Sequence, residues 1–164
     1  MKTLRTAMLL AAGLLVLSGA GLAQKKYSGP RPPKPDIPFL LHADSLIPTE
    51  IGEAREEKRK NETTASIPGA SSPVRTPLAE PIFLLESSKI GPGQLELWKL
   101  ESKSGARQLV VPDRPKKSGP RPLRLVVTRL DDTLYRVEVN EVLENGEYSL
   151  SPRGSSQVFC FQVY

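Results

Sequence analysis

The sequence has very few of the cysteine and histidine residues that small enzymes and metal sites commonly use. It contains one cysteine, Cys160, and one histidine, His42. A single thiol excludes an intramolecular disulfide, and one histidine with one cysteine falls short of the ligand set of a zinc site. His42, Asp44 and Ser45 lie together, whereas a Ser-His-Asp triad needs groups that converge from separate segments. We therefore expect a polar loop at this point, no catalytic triad and no cofactor.

Aromatic side chains are also scarce, at 5% of the residues, and only one of them is a tryptophan. Low aromatic content argues against a carbohydrate-binding module, which would need rings to stack on sugars. Trp98 is expected on the polar side of its strand, and it is the first candidate ligand contact, together with Tyr135 and Tyr148. The alternative for Trp98 is that its ring covers a second apolar patch.

Long hydrophobic runs are limited to the N-terminus. Residues 7–17 are apolar, but this stretch is shorter than the roughly 20 residues that a membrane-spanning helix needs. It follows Lys2 and Arg5 and precedes a small-residue run that ends at Ala23, the pattern of a secretory signal peptide. The sequence therefore predicts a signal peptide over residues 1–23, export to the periplasm or the extracellular space, and no transmembrane anchor after processing.

The charge of the processed chain is mild. Loss of Lys2 and Arg5 leaves 21 basic and 18 acidic residues, a net charge of about +3 that does not indicate a nucleic-acid partner. Residues 24–36, QKKYSGPRPPKPD, are basic and proline-rich, which predicts a flexible leader. The segment Ser-Gly-Pro-Arg-Pro of this leader occurs again at residues 118–122. The repeat is either a recognition peptide present twice or the result of two basic linkers with similar composition.

Short runs of β-branched and aromatic residues, separated by turn formers, fill the rest of the chain and predict strands. Four of these runs lie at the C-terminal end, at residues 123–129, 134–139, 147–150 and 158–163. Further runs upstream bring the expected total to about 8–10 strands. The predicted fold class is therefore all-β, with residues 37–164 forming a single antiparallel β-sandwich, immunoglobulin-like or related.

The last predicted strand is apolar on both faces. Phe159, Phe161 and Val163 point one way by alternation, and Val158 and Cys160 point the other way. A strand of this kind is covered on both sides, so we expect it in the middle of a sheet. Burial among apolar groups would make Cys160 an inert core thiol.

Two stretches are harder to interpret. The alternation in residues 94–101 changes phase at Leu100, and a one-residue bulge near Trp98 would restore it. Residues 50–64 are highly charged and contain few apolar positions. We expect an exposed charged ribbon or loop there, with a helix left open as an alternative.

A resemblance to known proteins lies in two segments near the C-terminus. They are Gly-Glu-Tyr-Ser-Leu-Ser-Pro at residues 146–152 and Val-Phe-Cys-Phe-Gln-Val at residues 158–163. They are similar to the ending of uncharacterised small secreted bacterial all-β proteins. Ser-Pro-Val-Arg-Thr-Pro-Leu at residues 72–78, with Glu-Pro-Ile-Phe at residues 80–83, has the same character. The resemblance implies an all-β envelope or periplasmic protein, with no assigned activity and no site residues.

The functional expectation follows from these patterns. We expect a secreted or periplasmic non-enzymatic protein, a binding or structural module of the bacterial cell envelope, whose partner is an envelope protein or a polysaccharide. The first alternative is a carbohydrate-binding module. The second is a hydrolase that uses a pair of carboxylates, for example Glu138 or Glu141, because the sequence does not reveal such pairs. The oligomeric state stays open.

Overall fold

The computed structural model describes residues 27–114 and 117–164. The predicted signal peptide and residues 24–26 of the predicted leader lie outside these ranges. The described chain has thirteen strands and a short 3-10 helix, Pro92–Gln94. The predicted all-β antiparallel class is confirmed, with more strands than the expected 8–10. In the described part of the chain, no helix is long and apolar enough to cross a membrane.

One sheet has five strands. They are β1 (Phe39–His42), β2 (Ser45–Pro48), β7 (Ile82–Glu86), β10 (Leu125–Arg129) and β11 (Leu134–Val139). Their spatial order is β10-β11-β7-β1-β2, and every neighbouring pair is antiparallel. The two hairpins β1–β2 and β10–β11 are thus joined through β7.

The other sheet has eight strands. They are β3 (Glu50–Glu53), β4 (Arg55–Arg59), β5 (Glu62–Pro68), β6 (Arg75–Thr76), β8 (Leu95–Lys103), β9 (Ala106–Pro112), β12 (Gly146–Pro152) and β13 (Gln157–Val163). The order is β3-β13-β12-β8-β9-β5-β4, and β6 adds a short parallel pairing to β13.

The eight-stranded sheet closes on itself, because its end strands β3 and β4 are consecutive parts of one stretch of chain. Only Ala54 separates them. β3 pairs with β13, β4 pairs with β5, and the Ala54 amide donates a hydrogen bond to the Ser156 carbonyl at 2.8 Å. The ladder of strand pairs therefore returns to the stretch where it started. We call this unit the closed sheet and the space inside it the lumen.

The main core lies between the five-stranded sheet and the outer face of the closed sheet. Phe83 on β7 and Phe161 on β13 are fully buried, with ring centroids 5.0 Å apart. Tyr148 on β12 stacks on Phe161 at 5.6 Å. Contacts of this kind between large apolar side chains are the principal source of stability in such a fold.

A second apolar cluster occupies the inner face of the closed sheet. It consists of buried Ile67, Leu100, Val158 and Cys160, with Ala54 and Leu109 packed against them. The last strand thus contributes to both clusters, because Phe159, Phe161 and Val163 belong to the main core. The predicted two-sided burial of β13 and its position between two neighbours are confirmed.

The predicted bulge near Trp98 is wrong. β8 pairs with β12 without interruption from Leu95 to Leu100. Leu95 and Leu97 face the main core, whereas Leu100 faces the lumen cluster. The apparent phase change in the sequence is therefore a change from one apolar face to the other along a regular strand.

The four C-terminal strands are present, but they do not form one consecutive sheet. β10 and β11 form a hairpin of the five-stranded sheet, and β12 and β13 form a hairpin of the closed sheet. The charged residues 50–64 form β3, β4 and the start of β5, so the ribbon interpretation is confirmed and the helix alternative is wrong.

Both copies of Ser-Gly-Pro-Arg-Pro bind acidic residues of this chain through their arginines. Arg31 contacts Glu86 at 3.4 Å and also Asp131. Arg121 donates two hydrogen bonds to Glu141, at 2.9 and 2.7 Å. Each copy is thus held against the five-stranded sheet or one of its loops. Both arginines therefore form ion pairs within this chain.

Candidate functional site

The open end of the lumen forms a cavity of about 300 Å³. Because side chains alternate along a strand, every second residue of each strand of the closed sheet points inward. Inward residues from all six stretches of chain that build the closed sheet line the cavity, among them Ala54, Ala65, Trp98, Leu109, Ser151 and Val158. A pocket that so many strands converge on is the default binding site of such a fold.

The wall of this cavity is mainly apolar on its inner side. Ile67, Leu100 and Val158 belong to both the cavity lining and the lumen cluster. Ala54 and Ala65 face them from β3–β4 and β5 with side chains of one carbon. These small residues leave room that larger ones would fill, so the space between the strands can hold a slim apolar group.

The mouth of the cavity is polar and carries charges of both signs. Arg153 donates a hydrogen bond to Glu96 at 2.8 Å. The other carboxylate oxygen of Glu96 accepts a long hydrogen bond from the Trp98 indole nitrogen, at 3.3 Å. Glu56 and Ser151 also line the mouth. Trp98, half-buried, therefore stands where the polar mouth meets the apolar wall.

The opposite end of the lumen contains a buried charged network centred on Arg107. The Arg107 side chain has no exposed surface and makes a two-fold hydrogen bond to Glu50, at 2.6 and 2.8 Å. Its remaining donors bind the carbonyl oxygens of Gly69, at 3.0 Å, and Pro68, at 2.9 Å. Four of the five N–H donors of the guanidinium are thus used in hydrogen bonds within the protein.

Glu147 extends this network to β12. Its carboxylate accepts hydrogen bonds from the Ser71 hydroxyl at 2.6 Å and the Ser72 amide at 2.9 Å. It lies 3.9 Å from Arg107. The network connects β3, β9, β12 and the loop after β5, and it closes the inner end of the lumen.

The electrostatics of this end follow from burial and pairing. Burial alone would raise the pKa of Glu50, but hydrogen bonds to Arg107 and Ser72 together with the positive charge of Arg107 outweigh that effect and hold the pKa below its usual value. The Glu50 carboxylate in turn raises the pKa of Arg107. Burial raises the pKa of the adjacent Cys160 thiol to about 12, so this thiol is protonated at neutral pH and is a poor nucleophile.

The three aromatic candidates do not share a groove. Trp98 lines the cavity at the open end of the lumen. Tyr148 is buried in the main core, on the other face of the closed sheet, and its hydroxyl donates to the Glu144 carbonyl at 2.8 Å. Tyr135 lies on β11 in the five-stranded sheet. The three rings therefore do not form a shared platform, and only Trp98 lies at the cavity.

The other sequence candidates lie away from the lumen. His42 and Ser45 are partners in the β1–β2 hairpin, with Asp44 in its turn. Glu138 pairs with Arg136 at 2.8 Å on the five-stranded sheet. Hydrogen bonds from Arg121 lower the pKa of Glu141 to about 2, which commits this carboxylate to an ion pair.

Arg107, Glu50, Glu147 and the mouth residue Glu96 were not recognised from the sequence. Arg107 lies two residues before Leu109 and four before Val111, so all three share one face of β9. An arginine on an otherwise apolar face was the signal in the sequence that could have identified it. The acidic partners lie 57 residues before it and 40 residues after it in the numbering. Only the closure of the sheet brings them to one end of the lumen.

A scan of protein-family models finds no matching family, and searches of curated proteins and of solved structures find no match either. Among the residues that the structure describes, no cluster of three or more His, Cys, Asp or Glu side chains could hold a metal ion. The site is therefore assigned on the geometry of the lumen.

Proposed function

We propose that the protein is exported and acts as a non-enzymatic binding module of the cell envelope, with the lumen of the closed sheet as its ligand site. The observation that carries this proposal is the cavity of about 300 Å³ with an apolar wall and a polar mouth. This volume is at the lower end of the range of ligand pockets. The ligand is therefore small or slim.

The chemistry of the cavity and of the inner end of the lumen supports binding over catalysis. The Cys160 thiol, with a pKa of about 12, is not an activated nucleophile. Glu50 is engaged by Arg107, and Glu96 is engaged by Arg153. Groups that are held in ion pairs orient a ligand more readily than they transfer protons.

Export is supported by the N-terminal sequence and by the resemblance to small secreted bacterial all-β proteins. The basic start, the apolar run over residues 7–17 and the cleavage motif that ends at Ala23 have the pattern of a signal peptide. The absence of disulfides is compatible with export, because the two clusters supply a core for a domain of this size.

Binding in the lumen is tested with N-phenyl-1-naphthylamine, a neutral apolar fluorophore. The mature protein should enhance its emission and should quench or shift the emission of the single tryptophan, Trp98. Ala65→Phe, which fills the lumen, should abolish both effects. Thr64→Phe places the same ring on the outer face of the same strand and should leave binding unchanged. Equal binding by both variants would place the fluorophore elsewhere and would contradict the proposal.

A further inference from the structure

We propose that the ligand of the lumen is a single-chain amphiphile with a cationic amine head, whose aliphatic chain lies in the lumen and whose head lies at the mouth. This inference rests on the proposed function and adds the chemical class and the orientation of the ligand. Three features carry it: the closed inner end, the charge of the mouth and the width of the lumen.

The inner end offers no place for a charged head. An anionic head would need free donors from Arg107, but four of its five N–H donors bind Glu50 and the carbonyl oxygens of Gly69 and Pro68. The carboxylate of Glu147, 3.9 Å from the guanidinium, would repel such a head. Between this end and the cavity lies the packed apolar cluster, and three of its members, Ile67, Leu100 and Val158, line the cavity. The apolar part of a ligand thus goes inward and its polar part stays at the mouth.

The mouth favours a cation. Glu56 and Glu96 both line it, against one basic side chain, Arg153. Arg153 is bonded to Glu96 at 2.8 Å, so the charges of this pair largely offset each other, and the exposed Glu56 leaves the mouth with one carboxylate in excess. Trp98 lies beside Glu96. An aromatic face with neighbouring carboxylates is a favourable environment for an alkylammonium group, through cation–π attraction and charge-assisted hydrogen bonds.

The width of the lumen selects a single chain. The diameter of a closed sheet increases with the number of its strands, and six stretches of chain enclose a narrower space than the eight-stranded sheets that hold one small ligand. With about 300 Å³ at the mouth, the site fits one flexible aliphatic chain better than a fused-ring or multi-chain molecule.

Three probes with the same chain test the proposal: n-decylamine, n-decanol and sodium decanoate, each below its micelle concentration and near neutral pH. Trp98 emission reports binding. We expect n-decylamine to bind with an affinity roughly tenfold or more above that of decanoate, with n-decanol between them. Equal or tighter binding of decanoate would overturn the inference.

The carboxylates of the mouth are tested by substitution. The double variant Glu56→Gln, Glu96→Gln should lose most of the preference for n-decylamine over decanoate and should still bind n-decanol. Glu57→Gln, one residue further on the outer face of the same strand, is the matched control and should keep the preference. If Glu57→Gln reduces the preference as much, the general field of the protein is its cause and the assigned head position is wrong.

The two proposals fail in different ways. If none of the three probes, nor N-phenyl-1-naphthylamine, responds to Ala65→Phe, the lumen is not a ligand site and both proposals are wrong. If the neutral fluorophore binds in the lumen and n-decylamine has no advantage, only the inference about the amine head is wrong.

Discussion

Replacement of Arg107 by methionine should destabilise the protein by about 3 kcal/mol, because it leaves the carboxylates at the inner end of the lumen without their cation. Removal of one partner from a buried ion pair typically costs about 3–5 kcal/mol. Here the Glu50 side chain is 27% exposed and can be rehydrated in part. Glu147 is 6% exposed but keeps its hydrogen bonds from Ser71 and Ser72. These features place the expected loss at the lower end of the range.

Urea unfolding, followed by Trp98 emission and circular dichroism, measures this loss. A domain of this kind has a total stability of about 5–15 kcal/mol. With a slope of about 1–3 kcal/mol/M, the midpoint should fall by roughly 1–3 M. Arg59→Met removes an exposed arginine whose partner Glu57 is also exposed, and it should change stability by less than about 0.5 kcal/mol. A loss under about 1 kcal/mol for Arg107→Met would refute the reasoning.

The pH dependence of the same variant separates charge pairing from packing. The pKa of Glu50 in the folded protein lies below the ordinary value of 4.5 for a glutamate. The contribution of the pair is therefore complete above that value and is lost as the pH falls through the folded pKa. In Arg107→Met, protonation of Glu50 relieves the unpaired charge. The deficit relative to the wild type should thus be largest near neutral pH and should shrink in acid. A deficit that is constant with pH would assign the loss to packing.

Two further predictions concern β13. Cys160, with its buried thiol of pKa about 12, should react with a thiol reagent only after denaturation; rapid labelling of the native protein would contradict its burial. Phe161→Ala should lower the free energy of unfolding by roughly 3–5 kcal/mol, measured by thermal or urea unfolding. Val127→Ala, on an exposed edge strand, should lower it far less. Similar losses in the two variants would mean that the main core is not centred on β13.

The alternation of β13 was predictable from the sequence because the period of a strand directly encodes its two faces. Phe159 and Cys160 are assigned to opposite sides by position alone, and the structure confirms that assignment. The same rule failed for Leu100, although the strand is regular. A single strand cannot reveal that its first part is buried on one face and its later part on the other.

The site itself was largely hidden. Trp98 was identified as a candidate, but Tyr148 and Tyr135 were grouped with it only because they are aromatic. The sequence of a strand shows which side chains share a face. It does not show which other strands will lie next to that strand in the sheet. The ion pair of Glu50 with Arg107 depends on β3 and β9 meeting at one end of the lumen, and no local pattern specifies that contact.

The charged stretch 50–59 illustrates why the closure was difficult to predict and how it is achieved. Its inward positions include Gly52 and Ala54, while the outward residues, such as Arg55 and Glu57, are exposed. A Cβ atom at Gly52 would lie 3.3 Å from a methyl group of Val158, tighter than most such contacts, and 3.9 Å from one of Ile67. The backbone thus passes close to both β13 and β5, the two strands that it joins. Small inward residues permit this approach, and charged outward residues keep the strand in water. The composition that resembled a loop is therefore that of a strand with a narrow inner side and a solvated outer side.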